Sequence, residues 1–385
     1  MVYQVNNVRA CPICESNAIQ HLFRNQFVSI GGFQMSYVLG RCCICCFHFA
    51  CELPSKENYS QYYSELSKYD SQLSISQVDS QRIEATVKLF FRLDISKKSK
   101  IVDIGCGFGA MLASLRNIGY ENLFGVDPAP KSSEQAFEQF GLNEIYLGTL
   151  SDVGNSINLQ DADVVCLMAV LEHLPDLRQD LKKLLDKLKP GTLILFEVPA
   201  VDLFDGIKGE PYGELSIEHI QFFSLVSMKN LLTSLGMNII ETELVKISSL
   251  NSGSLFIFAK IDSCYKSFKP ESKSVMDEYL RNCKQKWTKA FSNLPDEPFL
   301  IYGSGSHSAR LLANLNEKQK QNLVSVVDGN ANLQGKKIGD WIIKSPNEIS
   351  KYPNLPILIS SFRSQLSISH EIRKNFPKQN LKFMY

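Results

Sequence analysis

Thiol side chains are concentrated near the start of the chain and point to metal chemistry. Seven of the eleven cysteines lie within the first 51 residues. Cys11 and Cys14 form one CxxC pair, and Cys42 and Cys45 form a second. Four thiolates around Zn²⁺ form a closed tetrahedral site, which holds together a segment too small to build its own core. We therefore predict a structural zinc site rather than a catalytic one.

The second CxxC motif has two registers, because Cys43 and Cys46 have the same spacing as Cys42 and Cys45. We favour Cys42 and Cys45, since Cys46 then occupies the tight-turn position after the motif, which is often glycine. A disulfide framework is disfavoured, because it needs an oxidising compartment and the first nine residues lack the apolar stretch of a signal peptide. A cluster of reduced thiols without metal is the alternative.

A glycine-rich loop in the middle of the chain predicts a cofactor site. The apolar residues 100–104 read as a buried strand, and Gly105, Gly107 and Gly109 follow it before a helix. Glycines at such a turn let a ligand approach the backbone closely. The spacing of Gly105 and Gly107 to Ala110 also satisfies the pattern of NAD sites, so the loop alone does not choose between cofactors.

Two features favour S-adenosylmethionine over NAD. Asp103, two residues before the first glycine, can meet the cationic amino group of the cofactor's methionine part, whereas it would repel a pyrophosphate at the adjacent helix N-terminus. The second feature is an antiparallel hairpin predicted at the end of the sheet. Asp127 ends the next strand and is placed to accept hydrogen bonds from ribose hydroxyls. Both cofactors use a carboxylate in that way, so Asp127 does not discriminate.

Strands and helices alternate from about Lys100, which predicts a mostly parallel α/β sheet. The predicted strands cover residues 100–104, 123–127, 163–167 and 192–198. Helices are predicted over residues 110–118, after Pro175, and from the cap Ser224 to Leu235. Residues 237–247 and 254–261 then read as two strands of a hairpin, so that the last strand runs antiparallel to the sheet.

The last third of the chain repeats the α/β pattern on a smaller scale. Strands are predicted at residues 298–302, 323–328 and 356–360, with a glycine loop at 303–308 and a helix from near Ala309. This second Rossmann-like unit serves either for packing and dimerisation or as a platform for a nucleotide diphosphate. In the second case Ser304, Ser306 or His307 would lie near phosphate.

The domain organisation follows from these patterns and from a length of 385 residues, which suggests two or three domains. We predict a zinc-binding module with a tyrosine-rich linker at 1–75, a cofactor-binding domain at 76–262 and a Rossmann-like domain at 263–385. The oligomeric state is left open between monomer and homodimer.

Charge and hydropathy exclude other classes of protein. The chain has 41 basic and 40 acidic residues, a net charge of +1, which argues against nucleic acid as a partner held mainly through phosphate contacts. No apolar run approaches the ~18 residues of a membrane-spanning helix. We therefore expect a cytoplasmic protein without a membrane partner.

Three motifs resemble those of the class I S-adenosylmethionine-dependent methyltransferases. They are residues 103–109, Asp127 and residues 171–176. The resemblance implies that residues 103–109 hold the methionine and ribose parts of the cofactor and that Asp127 holds the ribose. It also implies that the segment from Met168 to His173 lines the reactive side of the cofactor.

The whole chain resembles the three-domain sugar C-methyltransferases, which act on nucleotide-linked keto-deoxysugars. The order of a double-CxxC segment, a methyltransferase core and an extra α/β domain carries this resemblance. Residues 59–64, 196–199 and 218–224 look like the family's tyrosine-rich linker, substrate-loop strand and Glu-His element. Two positions depart from the family pattern, because Ser216 and Ile217 stand where an aromatic hydroxyl and often a histidine are usual.

The chemistry implied for a ketosugar is attack of an enolate carbon on the methyl group, which needs a general base and stabilisation of an oxyanion. His219 is the predicted base, because an unperturbed imidazole has a pKa of ~6.5. Glu218 would hold its tautomer or bind sugar hydroxyls. His173 is a second candidate, and Tyr63 would donate a hydrogen bond from the linker.

Two alternative functions remain open. One is an O- or N-methyltransferase of a small metabolite, and the other is a zinc-ribbon enzyme that docks on RNA or protein.

Overall fold

The computed structural model describes residues 8–55, 57–59, 61–62, 75–247, 252–262, 269–270 and 275–385. The predicted site residue Tyr63 lies outside these ranges. The strands are β1 (Ile19–Asn25), β2 (Tyr37–Cys42), β3 (His48–Glu52), β4 (Ile101–Ile104), β5 (Leu123–Asp127), β6 (Ile145–Leu147), β7 (Val164–Met168), β8 (Leu193–Pro199), β9 (Gln221–Phe222), β10 (Met237–Ile247), β11 (Ser252–Ile261), β12 (Phe299–Tyr302), β13 (Leu323–Val327), β14 (Lys337–Ile338), β15 (Trp341–Lys344), β16 (Ile357–Ile359) and β17 (Leu381–Phe383).

The α-helices of the same residues are α1 (Gln77–Arg92), α2 (Ala110–Asn117), α3 (Ser132–Phe140), α4 (Leu177–Leu185), α5 (Leu225–Ser234), α6 (Val275–Phe291), α7 (Ser306–Ala313), α8 (Glu317–Asn322) and α9 (Gln365–Asn375). The strands form three sheets, which the helices flank or connect.

The central sheet has seven strands in the order β10-β11-β8-β7-β4-β5-β6. Strands β4 to β8 are parallel to one another, whereas β11 is antiparallel to both of its neighbours. The hairpin predicted for the end of the sheet is therefore confirmed. Strand β4 is buried along its whole length, as expected for a parallel strand with both faces covered. The carboxyl ends of the parallel strands meet at one edge of the sheet, where their loops can build a site.

Helix α5 begins where the sequence predicts. Its N-cap residue Ser224 accepts a hydrogen bond from the backbone N–H of Ser227, and the Ser227 hydroxyl lies 2.8 Å from the backbone nitrogen of Ser224. This reciprocal pair satisfies backbone groups that a helix start leaves without a partner. Gly236 follows the helix at a φ of 77°, so the chain turns directly into β10.

The N-terminal sheet crosses the predicted domain boundary at residue 75. Its order is β1-β2-β3-β9, so three strands of the cysteine-bearing segment pair with a short strand from residues 221–222. His48 of β3 lies opposite Phe222, and Phe47 packs against Phe223 with ring centroids 5.3 Å apart. The thiol segment is thus joined to the strand that directly follows Glu218 and His219.

The C-terminal sheet has the order β14-β15-β13-β12-β16-β17, and all its pairs are parallel except β14 with β15. The three predicted strands are observed as β12, β13 and β16, with ends within about one residue of those predicted, whereas the sequence did not predict β14, β15 and β17. Helix α7 begins at Ser306, three residues earlier than predicted. In the described part of the chain no helix is long and apolar enough to cross a membrane.

Candidate functional site

The glycine loop after β4 is the centre of the candidate cofactor site. Gly105 and Gly107 have φ values of 81° and 54°, in the left-handed region that side chains rarely adopt. A Cβ on Gly105 would also lie 2.5 Å from the Val170 side chain. Gly109, at a φ of 79°, is the N-cap of α2. The loop therefore needs glycine for its backbone path, and it leaves the start of a helix facing the sheet edge.

The two predicted acidic residues lie beside this loop in different states. The Asp127 carboxylate accepts hydrogen bonds from the backbone N–H groups of Gly107, at 2.7 Å, and Ala129, at 2.8 Å. Asp103 is 2% exposed, and its Oδ1 has no hydrogen-bond partner among the described residues. Burial, with the nearby charge of Asp127, raises the pKa of Asp103 to about 8. A buried acid with an open acceptor fits a cationic amino group such as that of S-adenosylmethionine.

Met168 closes the same edge of the sheet from the neighbouring strand. It is the last residue of β7, which pairs with β4 so that Leu167 lies opposite Ile104. The Met168 sulfur lies 4.0 Å from the Thr86 hydroxyl of α1. The structure therefore brings Met168 to the carboxyl edge that also carries Asp103 and the glycine loop.

Three of the predicted catalytic residues come together beyond this edge. His173 ends a short 3-10 helix (Leu171–His173), and its Nδ1 lies 3.1 Å from the Glu218 carbonyl oxygen. The rings of His173 and His219 meet edge to face, with centroids 5.0 Å apart. The Glu218 carboxylate is buried and accepts a hydrogen bond of 3.3 Å from the Tyr62 hydroxyl. This contact is made by Tyr62, whereas the predicted Tyr63 lies outside the described residues.

The sequence prediction missed Glu172, which is 1% exposed beside the two histidines. Its Oε1 lies 3.9 Å from Nε2 of His173. Donor atoms of Glu172, His173 and His219 all lie within 4.8 Å of one another. The available signal is its place inside the motif of residues 171–176.

The sequence prediction also missed an ion pair between helix α1 and strand β8 of the central sheet. Glu197 of β8 is fully buried opposite Met168, and its Oε1 lies 3.1 Å from Nε of Arg82 on α1. Arg82 also donates to the Ser254 hydroxyl at 3.3 Å. This ion pair ties α1 to the strands that carry the site. Glu197 belongs to the segment 196–199 that the sequence singled out, but nothing in the sequence pairs it with Arg82.

The four predicted thiols are gathered into one cluster. The sulfur atoms of Cys11 and Cys45 are 3.5 Å apart, those of Cys14 and Cys42 are 3.4 Å apart, and all four lie within 4.8 Å of one another. Cys46 has a φ of 61°, the conformation of the tight-turn position assigned to it. Such a set of four sulfur ligands suits Zn²⁺ in tetrahedral coordination.

The C-terminal glycine loop is held by internal contacts. Asp328 accepts hydrogen bonds from the backbone N–H and the hydroxyl of Ser304, at 2.7 and 2.8 Å. His307 is buried, and its two ring nitrogens lie 2.8 Å from the Ser360 hydroxyl and 3.1 Å from the Tyr385 hydroxyl. Burial lowers the pKa of His307 to about 3, so the ring is neutral at physiological pH. These internal contacts engage Ser304 and His307, and the expectation that Ser304, Ser306 or His307 lies near phosphate stays a prediction.

Two family models match the chain in separate regions. Residues 74–242 match the model described as a methyltransferase domain, and residues 296–380 match the one described as C2185-like, N-terminal. The first region contains strands β4 to β9 and part of β10, and the second contains strands β12 to β16 of the C-terminal sheet.

Curated relatives and a solved structure are also similar to the chain. The C-methyltransferase NovU of Streptomyces niveus is 28% identical over 170 residues, which are 44% of this chain and 39% of NovU. The mitochondrial ubiquinone biosynthesis O-methyltransferase of Schizosaccharomyces pombe is 32% identical over 123 residues, 31% of this chain and 44% of the relative. The matches thus span less than half of either relative.

Among solved structures, the Burkholderia thailandensis 1,6-didemethyltoxoflavin-N1-methyltransferase with bound S-adenosylhomocysteine is 14% identical. The match covers 56% of this chain and 96% of that chain, with a TM-score of 0.42. The family match over residues 74–242, the glycine loop and the buried acid lead to one assignment. Residues 74–242, less than half of the chain, are similar to methyltransferase domains, and the loop and the acid suit S-adenosylmethionine as cofactor.

Proposed function

We propose that this protein methylates a carbon atom beside the keto group of a nucleotide-linked deoxysugar. The observation that carries the proposal is the cluster of His173, Glu218 and His219 next to the cofactor edge of the sheet. Transfer to carbon needs a base near the methyl group, and this cluster supplies two imidazoles there. The similarity to a protein named as a C-methyltransferase supports the same chemistry.

The cofactor contacts follow from the buried acid and the glycine loop. S-adenosylmethionine supplies an electrophilic methyl group when bound. Asp103 would hold its amino group, and Asp127 would hold its ribose, since each carboxylate oxygen has a second lone pair beyond the backbone N–H that it accepts. Val170 and Met168 would limit the space around the cofactor on the side of the histidines.

His219 acts as the general base in this proposal. Its neighbour His173 has Nδ1 against a carbonyl oxygen, which only accepts hydrogen bonds, so Nδ1 carries the proton and Nε2 the lone pair. The Glu218 carboxylate, held by Tyr62, would bind sugar hydroxyls or orient His219. An oxyanion formed from the keto group would be stabilised by a hydrogen-bond donor beside it, a role that we assign to Tyr63 of the tyrosine-rich linker.

The other two sheets have supporting roles in the proposal. A structural Zn²⁺ is bound by Cys11, Cys14, Cys42 and Cys45. It keeps β1 to β3 folded against the strand that follows His219. The C-terminal sheet would serve the nucleotide end of the substrate or an interface between two chains. A small-molecule substrate agrees with the near-neutral charge, which gives no support for nucleic acid.

The test is methyl transfer from ¹³C-methyl-labelled S-adenosylmethionine to a panel of nucleotide 4-ketosugars, followed by carbon NMR. A new methyl signal on a ring carbon is the expected result. Solvent deuterium should also exchange at that carbon before transfer, because the base forms an enolate. Absence of both signals, with cofactor binding confirmed by calorimetry, would overturn the proposal.

O-methylation is the second candidate, because several matching relatives are ubiquinone biosynthesis O-methyltransferases. In that reaction the same histidine would remove a proton from a hydroxyl group. The NMR experiment separates the two, since a methyl carbon on oxygen appears at a much lower field than one on carbon and no exchange occurs at the ring carbon.

A further inference from the structure

We propose that Glu172, His173 and His219 bind one divalent transition-metal ion at a site separate from the four thiols. Each residue offers one donor atom, and the three atoms lie within 4.8 Å of one another. They lie on two segments that are joined by a hydrogen bond of 2.9 Å from the backbone N–H of Ile220 to the Glu172 carbonyl oxygen. The donors are therefore placed by the backbone and not only by side-chain rotamers.

The tautomer of His173 suits a metal ligand. Because Nδ1 donates to the Glu218 carbonyl oxygen at 3.1 Å, the lone pair of the neutral ring is on Nε2. That nitrogen faces Glu172, whose Oε1 is 3.9 Å away. Ligating histidines commonly donate the other ring N–H to a carbonyl or carboxylate, which fixes the ring and makes it a better ligand. The same arrangement is present here.

The donor set selects the class of ion. Two imidazoles and one carboxylate suit Zn²⁺, Co²⁺, Ni²⁺ or Fe²⁺, whereas Mg²⁺ and Ca²⁺ prefer sites made only of oxygen ligands. Glu172 is 1% exposed, and a buried carboxylate gains from a cation beside it. Three protein ligands leave a coordination position open to water or to an oxygen of a substrate.

The consequence for activity rests on the proposed function, in which His219 accepts a proton. A metal ion coordinated by His219 would occupy the lone pair that proton abstraction needs. The bound ion is therefore expected to inhibit methyl transfer, at concentrations that match filling of the site. Binding itself does not depend on the reaction and can be measured without any substrate.

The experiment is a titration of the full-length, zinc-loaded protein with Co²⁺, followed by visible absorption. With the four thiols already occupied by Zn²⁺, one equivalent of Co²⁺ should bind and give the d–d bands of a nitrogen and oxygen site. The sulfur-to-cobalt charge-transfer band should be absent, and excess Mg²⁺ should not displace the ion. Zinc content, measured by mass spectrometry, reports on the thiol cluster in every sample.

The variants Glu172→Gln and His219→Asn each remove one ligand and are expected to weaken Co²⁺ binding more than about tenfold. His370→Asn removes an exposed histidine of α9 and should bind Co²⁺ like the unchanged protein. Unchanged zinc content and circular dichroism would show that the variants fold. Failure of the unchanged protein to bind Co²⁺ would overturn the site. Binding of Co²⁺ by Glu172→Gln and His219→Asn as tightly as by the unchanged protein would also overturn it.

Activity then separates this inference from the proposed function. Binding with inhibition supports both. Binding accompanied by activation would support the metal site and remove His219 as base. Carbon methylation by a protein that binds no Co²⁺ would support the proposed function and overturn the metal site.

Discussion

Asp103 shows how one buried side chain can couple cofactor binding to pH. Its pKa is raised to about 8, so the free protein holds it largely neutral at physiological pH. A cationic amino group favours the ionised form, and binding must therefore release a proton. Affinity for the cofactor should rise as pH rises toward the pKa and become constant above it.

Calorimetry with S-adenosylhomocysteine from about pH 6 to about pH 9 tests this expectation. The dissociation constant should fall by up to about tenfold per pH unit below the pKa. Asp103→Asn should bind weakly and lose the pH dependence. The exposed Asp161 offers the same substitution away from the site as a control. A pH-independent affinity in the unchanged protein would refute the role of Asp103.

Replacement of His219 by Asn is the direct test of the base. Turnover should fall by about 10²- to 10⁴-fold, the usual contribution of a general base, while the affinity for S-adenosylhomocysteine stays unchanged. Initial rates with the true acceptor and calorimetry give the two numbers. His370→Asn is the matched control. Turnover near that of the control would show that His219 is not the base. The base would then be His173 or a group other than these two histidines.

At the residue scale, the sequence is enough to predict the position of side chains that lie within a few residues of a buried strand. The sequence places Asp103 and the glycines in or directly after β4, and Asp127 at the end of β5. Their proximity therefore follows from these two adjacent strands and the loop. The approach of Glu172 to His219, within 4.8 Å, and the ion pair of Arg82 with Glu197 join segments far apart in sequence. Such contacts depend on how elements pack, and no local pattern encodes them.

The pairing of β3 with β9 is the feature at the scale of elements that links the thiol cluster to the segment of the proposed base His219. The backbone N–H of Ala50 donates to the Ile220 carbonyl oxygen at 2.8 Å, next to the pair of His48 with Phe222. Folding of the thiol segment therefore supports the chain directly after His219. The sequence did not predict this pairing, because a two-residue strand has no detectable periodicity.

If the thiol cluster binds zinc as proposed, loss of the zinc should loosen the segment that follows His219. Cys42→Ser removes one of the clustered thiols, and Cys43→Ser makes the same change at the exposed neighbour outside the cluster. We expect Cys42→Ser to lose zinc, and amide exchange over residues 220–222 to accelerate together with a fall in activity. Cys43→Ser should match the unchanged protein. Zinc loss with unaltered exchange at 220–222 would show that the two segments are not coupled.

Other elements were predictable because their signals are local. The strands that the sequence predicts in the central and C-terminal sheets are apolar runs bounded by turns, and the hairpin of β10 and β11 follows one turn signal. The sequence did not predict the short strands β6, β14, β15 and β17. The predicted boundary at residue 75 is different, since the sheet β1-β2-β3-β9 includes residues on both sides of it. Sequence composition marks a linker there but does not reveal that the chain returns to the same sheet.

At the scale of the whole molecule, Arg310 joins all three regions. It lies on α7 and is 2% exposed. Its guanidinium donates to the Asn25 side chain of β1, at 3.1 Å, and to the Leu215 carbonyl oxygen in the segment before Glu218. It also lies over the ring of Phe27, with Cζ 5.0 Å from the ring centroid. One buried cation thus connects the N-terminal sheet, the substrate side of the central sheet and the C-terminal sheet.

Arg310→Met keeps much of the side-chain volume but removes every donor, so the buried Asn25 side-chain oxygen loses a donor, while the Leu215 carbonyl oxygen keeps the one from the Asn25 amide. The free energy of unfolding should fall by about 1–3 kcal/mol, the cost of a buried acceptor that loses its hydrogen bond. Because the Leu215 segment leads to the catalytic residues, KM for the acceptor should rise while the affinity for S-adenosylhomocysteine is retained. Arg373→Met, at an exposed position of α9, is the control in chemical denaturation and in kinetics. A variant with lowered stability and unchanged KM would restrict Arg310 to a structural role, and the position of the C-terminal sheet would then have no influence on the substrate side of the methyltransferase domain.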